Sequence, residues 1–376
     1  MMPMRDIGVG IIGTGFMGKA HAFAYRAVSG ILPVSLRPVL RVVADNNREA
    51  GLATQKQLGF EKFTADWTEL VRDPGVEIVS ITTPNVVHRE MALAAIAEGK
   101  HVHCEKPIAP SADDARAMME AAEAKGVKTQ VGYNYIKNPL LVLARDMIAS
   151  GELGEITGFR GIHAEDYMAS PDVPYGWRVD PSGGGGAVAD LGSHIVGMAR
   201  FLLGPIASVN ADLETIVKSR PIAPGSNERR EVKVDDIARL TVRFARGCGG
   251  QIEANWVATG RNMDLGFQLY GTKASLAFTQ ERFNELLYYK AGGPKGRKGY
   301  QKIEAGPEHY PYGLFCVAPG HQLGFNDLKT IEVADFLDTI SGGQPKGPDF
   351  REAWEIQKVI DTAIRSSRER RWLDIA

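Results

Sequence analysis

Ile7-Gly8-Val9-Gly10-Ile11-Ile12-Gly13-Thr14-Gly15-Phe16-Met17-Gly18 is the stretch whose reading decides the fold. Residues 7–12 are a short apolar run rich in β-branched side chains, the pattern of a buried strand. Gly13-x-Gly15-x-x-Gly18 follows at once, and helical sequence runs over 16–28. In such a strand–turn–helix the first glycine permits the tight turn and the second lets backbone approach a pyrophosphate. The third allows close helix–strand packing, and the helix N-terminus supplies the positive end of its dipole. Thr14, Phe16 and Met17 belong to the same candidate dinucleotide site. A lone glycine pattern is weak; one that follows a strand and opens a helix is specific.

Outward from this turn, strands and helices alternate. The spacing predicts strands at 39–44, 76–82, 100–104 and 128–132 and helices at 48–58, 87–98 and 112–125, with a loop over 29–38. Strands separated by helices pair in parallel through right-handed crossovers, which makes a doubly wound sheet. Such a sheet binds ligands beyond the carboxyl ends of its strands, where the strand order reverses.

Three turns put polar residues at those ends. Asp45 ends the second strand, where a carboxylate accepts hydrogen bonds from both ribose hydroxyls of the adenosine and repels a 2′-phosphate. NAD is therefore expected, with NADP possible because Arg48 lies nearby. Thr82-Thr83-Pro84-Asn85 with His88, and Glu105-Lys106-Pro107, follow the next two strands. A residue before proline is held extended, so Lys106 leaves its strand into the ligand crevice. Farther on, Ser182-Gly183-Gly184-Gly185-Gly186 opens an apolar helix in which Asp190 and His194 stand at i and i+4, on one face. Beside a glycine-rich entry, that pair reads as an acid/base site.

Composition bounds the alternatives. The 376 residues exceed the ~250–300 at which single cores stop growing, so two domains are expected, 1–137 and 138–376. A net charge of −1 gives no reason to expect nucleic acid as a partner. Cys104, Cys248 and Cys316 are odd in number and lack CxxC spacing, which fits a reduced cytoplasmic protein. No apolar run approaches the ~20 residues of a membrane span. No metal is expected: the histidines at 88, 101, 103 and 194 form no local ligand set, and His101-x-His103 lies on a strand without a third ligand in step.

Together, GxGxxG, Thr83-Pro84-Asn85-x-x-His88, Glu105-Lys106-Pro107, Trp177-Arg178 and the glycine run leading to Asp190-x-Gly192-x-His194 resemble the glucose–fructose oxidoreductase, inositol dehydrogenase and rhizopine-catabolism family over essentially the whole chain. Gly18-Lys19-Ala20-His21 and Gly132-Tyr133-Asn134-Tyr135 look closest to its levoglucosan- and inositol-dehydrogenase branches. The resemblance implies an α/β chain: a Rossmann domain, then a second α/β domain with a large, open, mostly antiparallel sheet that makes a homodimer or homotetramer. It implies a hydride exchanged between NAD(P) and a sugar, anhydrosugar or cyclitol. Lys106 then bonds the reacting oxygen, His194 moves the proton and Asp190 orients both. Trp177 and Arg178 fall with the cofactor, and Asn134, Tyr135, Asp166, Tyr167, Arg178 and His321 with the substrate. The chain departs from the family at Gly197, where relatives carry aspartate, and at Ile136-Lys137, where they carry arginine. An NAD-dependent glycosidase and a non-catalytic dinucleotide sensor are the other readings the same resemblance leaves open.

Overall fold

The computed structural model describes residues 4–376. Its first six strands are β1 (Arg5–Ile12), β2 (Leu36–Ala44), β3 (Lys62–Thr64), β4 (Ile78–Ile81), β5 (His101–Cys104) and β6 (Thr129–Val131). Between them run α1 (Phe16–Ile31), α2 (Arg48–Leu58), α3 (Trp67–Arg72), α4 (His88–Ala97) and α5 (Ala112–Lys125). The strands pair in parallel in the order β3-β2-β1-β4-β5-β6. β1 is buried continuously from Ile7 to Ile12, as a strand covered on both faces must be. The order reverses between β1 and β4, so the crevice opens beside Gly13.

Local chemistry sets the element ends. Asn47 and Ser111 cap α2 and α5 by accepting the backbone N–H groups of Ala50 and Asp114, and both helices stop at a left-handed glycine, Gly59 and Gly126. The expected loop over 29–38 shrinks, because α1 runs to Ile31 and β2 begins at Leu36. Pro38 is tolerated there: β3 pairs only with Val42 to Ala44, leaving β2 a free edge around the proline.

A second sheet has nine strands in the order β16-β15-β14-β13-β7-β12-β11-β8-β17. These are β7 (Ile156–Ala164), β8 (Ile206–Glu214), β11 (Ile237–Phe244), β12 (Gly249–Asn255), β13 (Asp264–Gly271), β14 (Ala274–Thr279), β15 (Glu285–Lys290), β16 (Gln301–Glu304) and β17 (Leu373–Asp374). A small hairpin of β9 (Ser219–Pro221) and β10 (Arg229–Glu231) stands apart. Only the β7–β12 pair is parallel. β11 buries Ala238, Leu240, Val242 and Phe244 and turns Arg239, Thr241 and Arg243 outward, the alternation of a sheet with one covered face. The helices here are α6 (Pro139–Ala149), α7 (Ala187–Asp190), α8 (Gly192–Leu203) and α9 (Tyr312–Phe315), followed by α10 (Phe325–Ile340) and α11 (Phe350–Glu369). α8, buried at every position but Phe201, packs on β7 and β12.

The chain divides into two compact units, and the division is not the linear one expected from the sequence. Residues 4–137 are joined by Leu323–Trp354, while Asn138–Gln322 and Glu355–Ala376 form the other unit. The return has a physical cause: α10 packs on α1, with the rings of Phe325 and Phe16 5.5 Å apart, and the head of α11 ties to the first sheet through Phe350 N–H to Thr129.

A second correction concerns the segment after the glycine run. One helix is expected over this segment, but it is interrupted at Leu191 into α7 and α8, Leu191 itself keeping right-handed helical dihedrals. Asp235 holds the first turn of α7: its Oδ2 accepts the Val188 N–H at 2.8 Å, and its backbone carbonyl accepts that of Ala187 at 3.0 Å. Burial pushes the Asp235 carboxyl from its ordinary 3.8 up to about 7, the bond from Val188 opposing. A carboxyl raised in the folded state contributes stability that is complete below pH ~4 and is lost as pH rises through the raised value. Asp235→Asn keeps an acceptor and cannot ionise. Measured by urea unfolding, the stability of wild type relative to this variant is expected to fall as pH is raised from 4 to about 7. A pH-independent difference would contradict the burial of an ionisable Asp235.

Candidate active site

In the first unit the glycine turn is built as a dinucleotide site requires. Gly13 has φ +100°, and a side chain there would lie 2.9 Å from Thr82 Oγ1. At Gly18 a side chain would approach Gly13 O to 2.1 Å, so α1 could not pack as closely on β1. Gly15 faces open space. It is also the N-cap of α1, offers no side-chain cap, and no acidic residue occupies the first turn. The helix end thus presents N–H groups and a positive dipole to an anion. Phe16 is exposed and Met17 half-buried beside it.

Asp45 reaches this turn directly. Its Oδ2 accepts both the N–H and the hydroxyl of Thr14, at 2.9 and 2.6 Å, and its Oδ1 accepts the Asn47 N–H at 2.8 Å. A carboxylate has about four acceptor positions and three are used here, so capacity for about one ribose hydroxyl remains. Thr82 donates its hydroxyl to the Ile12 carbonyl at 2.9 Å, tying the end of β4 to that of β1.

The next two turns are braced rather than open. His88 is fully buried, with Nε2 2.8 Å from the Thr83 carbonyl and Nδ1 3.1 Å from that of Pro107. It joins the Thr83-Pro84 turn to the Lys106-Pro107 turn, so the expected cofactor contact is replaced by a supporting one. Burial lowers its pKa against the pull of the three carbonyls and Glu105 around it. Pro84 is exposed, and Asn85 is buried with its Oδ1 unpartnered. Lys106 is half-buried. Glu105 is buried, and its Oε2 accepts the Lys106 backbone N–H at 3.2 Å.

Behind Glu105 lies a buried polar cluster that sequence reading missed. Glu105 Oε1 is 2.8 Å from His21 Nε2 and 3.0 Å from Lys329 Nζ. Lys329 Nζ also bonds Glu332 Oε1 at 2.7 Å, and that oxygen lies 3.0 Å from His103 Nε2. Ser80 and Tyr25 occupy the other ring nitrogens of His21 and His103, at 2.7 and 3.0 Å. One proton arrangement satisfies all of this: both imidazoles neutral, Nε2–H donating to a carboxylate and Nδ1 accepting a hydroxyl. Burial, with help from His103 and Lys329, holds the His21 pKa down at about 3. Burial would raise Glu105, but Lys329 and His21 outweigh it and keep the carboxyl well below its usual range. The ligand atoms of His21, His103 and Glu332 lie within 4.8 Å of one another, a spacing a metal could use. The Lys329 ammonium already sits on the Glu332 oxygen as the cation, and a second positive charge there would be repelled. His21 was visible as the end of a motif; Lys329 and Glu332 arrive from a helix more than two hundred residues away, with no local signal.

In the second unit Asp190 is the hub. Its Oδ2 accepts the Tyr167 hydroxyl at 2.8 Å and Arg178 Nε at 3.0 Å. Burial and then the Asp190 charge push the Tyr167 pKa upward, so its hydroxyl stays a donor. Arg178 loses hydration, yet Asp190 and Tyr167 keep it firmly charged. Its guanidinium stacks 4.4 Å from the Trp177 ring, so these two residues join the Asp190 group. His194 is 7% exposed and packs edge-on to His163, whose Nδ1 meets the Leu191 carbonyl at 3.0 Å and whose Nε2 meets Glu165 at 2.9 Å. His163 therefore pins the helix break beside His194, a role the sequence did not signal. Asp166 instead accepts the Gly260 N–H at 3.0 Å and ties the loop after β7 to the loop between β12 and β13. His321 is exposed on a loop. Asn134 and Tyr135 belong to the first unit, Asn134 buried with its Nδ2 unpartnered and Tyr135 ringed against Phe325 at 6.0 Å.

Comparison with known proteins agrees with this geometry. Residues 7–133 match the model of an oxidoreductase family with an NAD-binding Rossmann fold, and residues 141–277 match the GFO/IDH/MocA C-terminal domain. Levoglucosan dehydrogenase of Pseudarthrobacter phenanthrenivorans is 36% identical, over 99% of each chain. A structure of levoglucosan dehydrogenase in complex with NADH and levoglucosan superposes with a TM-score of 0.94 at 36% identity, covering 99% of this chain and 100% of that one. An NAD binding oxidoreductase from Klebsiella pneumoniae gives 0.93 at 40% identity, over 99% of each chain. Among the described residues no helix is long and apolar enough to cross a membrane. With an open glycine turn, a carboxylate at the end of β2 and full-length similarity of this degree, the chain belongs to the GFO/IDH/MocA family of NAD-binding oxidoreductases.

Proposed function

We propose that this enzyme uses NAD to oxidise a ring hydroxyl of a small polyhydroxylated substrate, a sugar, an anhydrosugar or a cyclitol, or to reduce the corresponding carbonyl. The observation that carries the substrate class is the Asp190 carboxylate, held by Tyr167 and Arg178 and flanked by His194. It is a rigid, charged hydrogen-bonding group of the kind that selects hydroxyls over apolar ligands. The full-length similarity to a levoglucosan dehydrogenase supports the same class.

NAD, when bound, supplies the hydride acceptor, and the residues arrange everything else. The N-terminus of α1, with Gly13, Gly15 and Gly18, holds the pyrophosphate, and Asp45 the adenosine ribose. His194 takes the hydroxyl proton as the carbonyl forms and returns it in the reverse direction. The Lys106 ammonium donates to the same oxygen, where negative charge develops. Asp190 accepts a neighbouring substrate hydroxyl, and Tyr167 and Arg178 fix its direction. Asn134 and Tyr135 contribute further polar contacts. The exposed face of the nine-stranded sheet, carrying Arg239, Thr241, Gln251 and Gln268, is assigned to a second copy of the chain in a homodimer or homotetramer. Cys104 and Cys248, both buried and outside any disulfide, support a reducing, cytoplasmic setting.

Two measurements test this. Asp45→Ser removes the carboxylate that repels a 2′-phosphate, so the ratio of NAD to NADP in kcat/KM is expected to narrow or invert; wild type preferring NADP would contradict the role given to Asp45. His194→Asn is expected to lower turnover by ~10²–10⁴-fold, the range for general acid–base catalysis, with little change in NADH affinity. Wild-type oxidation should weaken toward acid pH, because an imidazolium cannot accept the proton. Near-normal turnover in His194→Asn with an unchanged pH profile would remove His194 from the chemistry.

A further inference from the structure

The buried cluster behind β5 places two carboxylates, an ammonium and two imidazoles in the first unit, where apolar residues of similar volume often pack with equal or better stability. Its geometry leads to one place. Lys329 Nζ bonds Glu105 Oε1 at 3.0 Å, His21 Nε2 meets the same oxygen at 2.8 Å, and the other Glu105 oxygen accepts the Lys106 backbone N–H at 3.2 Å. A side chain at Gly132 would come within 2.3 Å of Glu105 Oε1, so the glycine leaves the carboxylate its room. From the other side His88 Nδ1 lies 3.1 Å from the Pro107 carbonyl. The Lys106-Pro107 turn is thus gripped at both ends.

We infer that Lys329 is a positioning residue for Lys106: its ammonium fixes the Glu105 carboxylate, Glu105 fixes the Lys106 backbone, and the turn presenting the Lys106 amine is held in one place. The inference rests on the contact between Lys106 and the reacting oxygen proposed above. It explains why the chain sends α10 back to the first unit with Lys329 and Glu332 on its buried face. Glu332 anchors Lys329, and His103, itself bonded to the Tyr25 hydroxyl, anchors Glu332.

The test is Lys329→Met in the full-length enzyme, which keeps the volume and deletes the charge. Turnover is expected to fall by about 10- to 100-fold, the scale on which a misplacement of about 1 Å acts. NADH affinity, read by fluorescence titration, should stay within about threefold, since the altered contact serves the reacting centre. A purely structural role would not move the pH profile, and this one does. Glu105 is faced by His21 from α1, His88 from α4, His103 and Cys104 from β5, and Lys329 and Glu332 from α10. Without the ammonium it takes up a proton as pH falls, and kcat gains a second acid limb in addition to the one His194 gives wild type. Lys329→Met/Glu105→Gln has a neutral acceptor at Lys106 N–H; it should lose that limb and recover part of the turnover.

A folded Lys329→Met enzyme with unchanged kcat and pH profile would overturn the inference, as would a parallel loss of turnover and NADH affinity. If Lys329→Met does not fold, Glu105→Gln against Glu105→Leu decides: Leu offers no acceptor and must be the slower by about tenfold or more, and equal rates overturn the inference. Lys106→Ala separates the two levels. If it keeps normal turnover, the proposed role of Lys106 fails. If it is inactive while Lys329→Met is unaffected, only the role of Lys329 fails.

Discussion

β1 is hydrogen-bonded along both edges, to β2 on one side and β4 on the other, and the dinucleotide turn of the first unit follows from that constraint. A strand in this position must be apolar on both faces, and it must leave the sheet at the point where the strand order reverses. Gly13 makes the exit, donating its N–H to the Ala44 carbonyl while Thr82 donates to that of Ile12. Three strand ends are therefore sewn together around one turn, and the N-terminus of α1 is left without a cap. An uncapped helix end is a cost to a free-standing helix and an advantage to one that receives a phosphate.

The same logic, a rigid backbone presenting a few charged groups, recurs in the second unit. There α8 is buried almost along its whole length, and an interruption at Leu191 separates the turn bearing Asp190 from the helix bearing His194. His163 and Asp235 hold the two sides of that break through the Leu191 carbonyl and the Val188 N–H. Asp190 is saturated on one oxygen by Tyr167 and Arg178, which fixes the direction of the other. Both units use buried polar groups to fix the direction of charged side chains and turns.

Much of this was legible in the sequence, and the boundary of legibility is physical. The doubly wound sheet followed from short-range periodicity and glycine punctuation, and α2 and α5 fall where the pattern puts them. Thr14, Asp45, Lys106, Asp190 and His194 stand out because each lies beside a turn with its own signature. Tertiary facts did not. Residues 323–354 rejoin the first unit because α10 packs on α1, and no local pattern announces a partner so distant in sequence. His88 and Glu105 carry motif signatures that imply ligand contact, yet both are inward braces, since a motif records that a residue is needed and not which way it faces. The helix break at Leu191 depends on Asp235 and His163, which sit on other elements.

The central claim is direct removal of a hydride from a carbon bearing a ring hydroxyl, and it is tested by following the label from carbon-deuterated substrates. Purified enzyme with NAD and deuterated anhydrosugars, inositols and aldoses should form NADH carrying the deuterium, at a rate slowed by the substitution. Cleavage of a glycoside with no net NADH, or tight NAD binding with no labelled NADH from any polyol, would contradict the account.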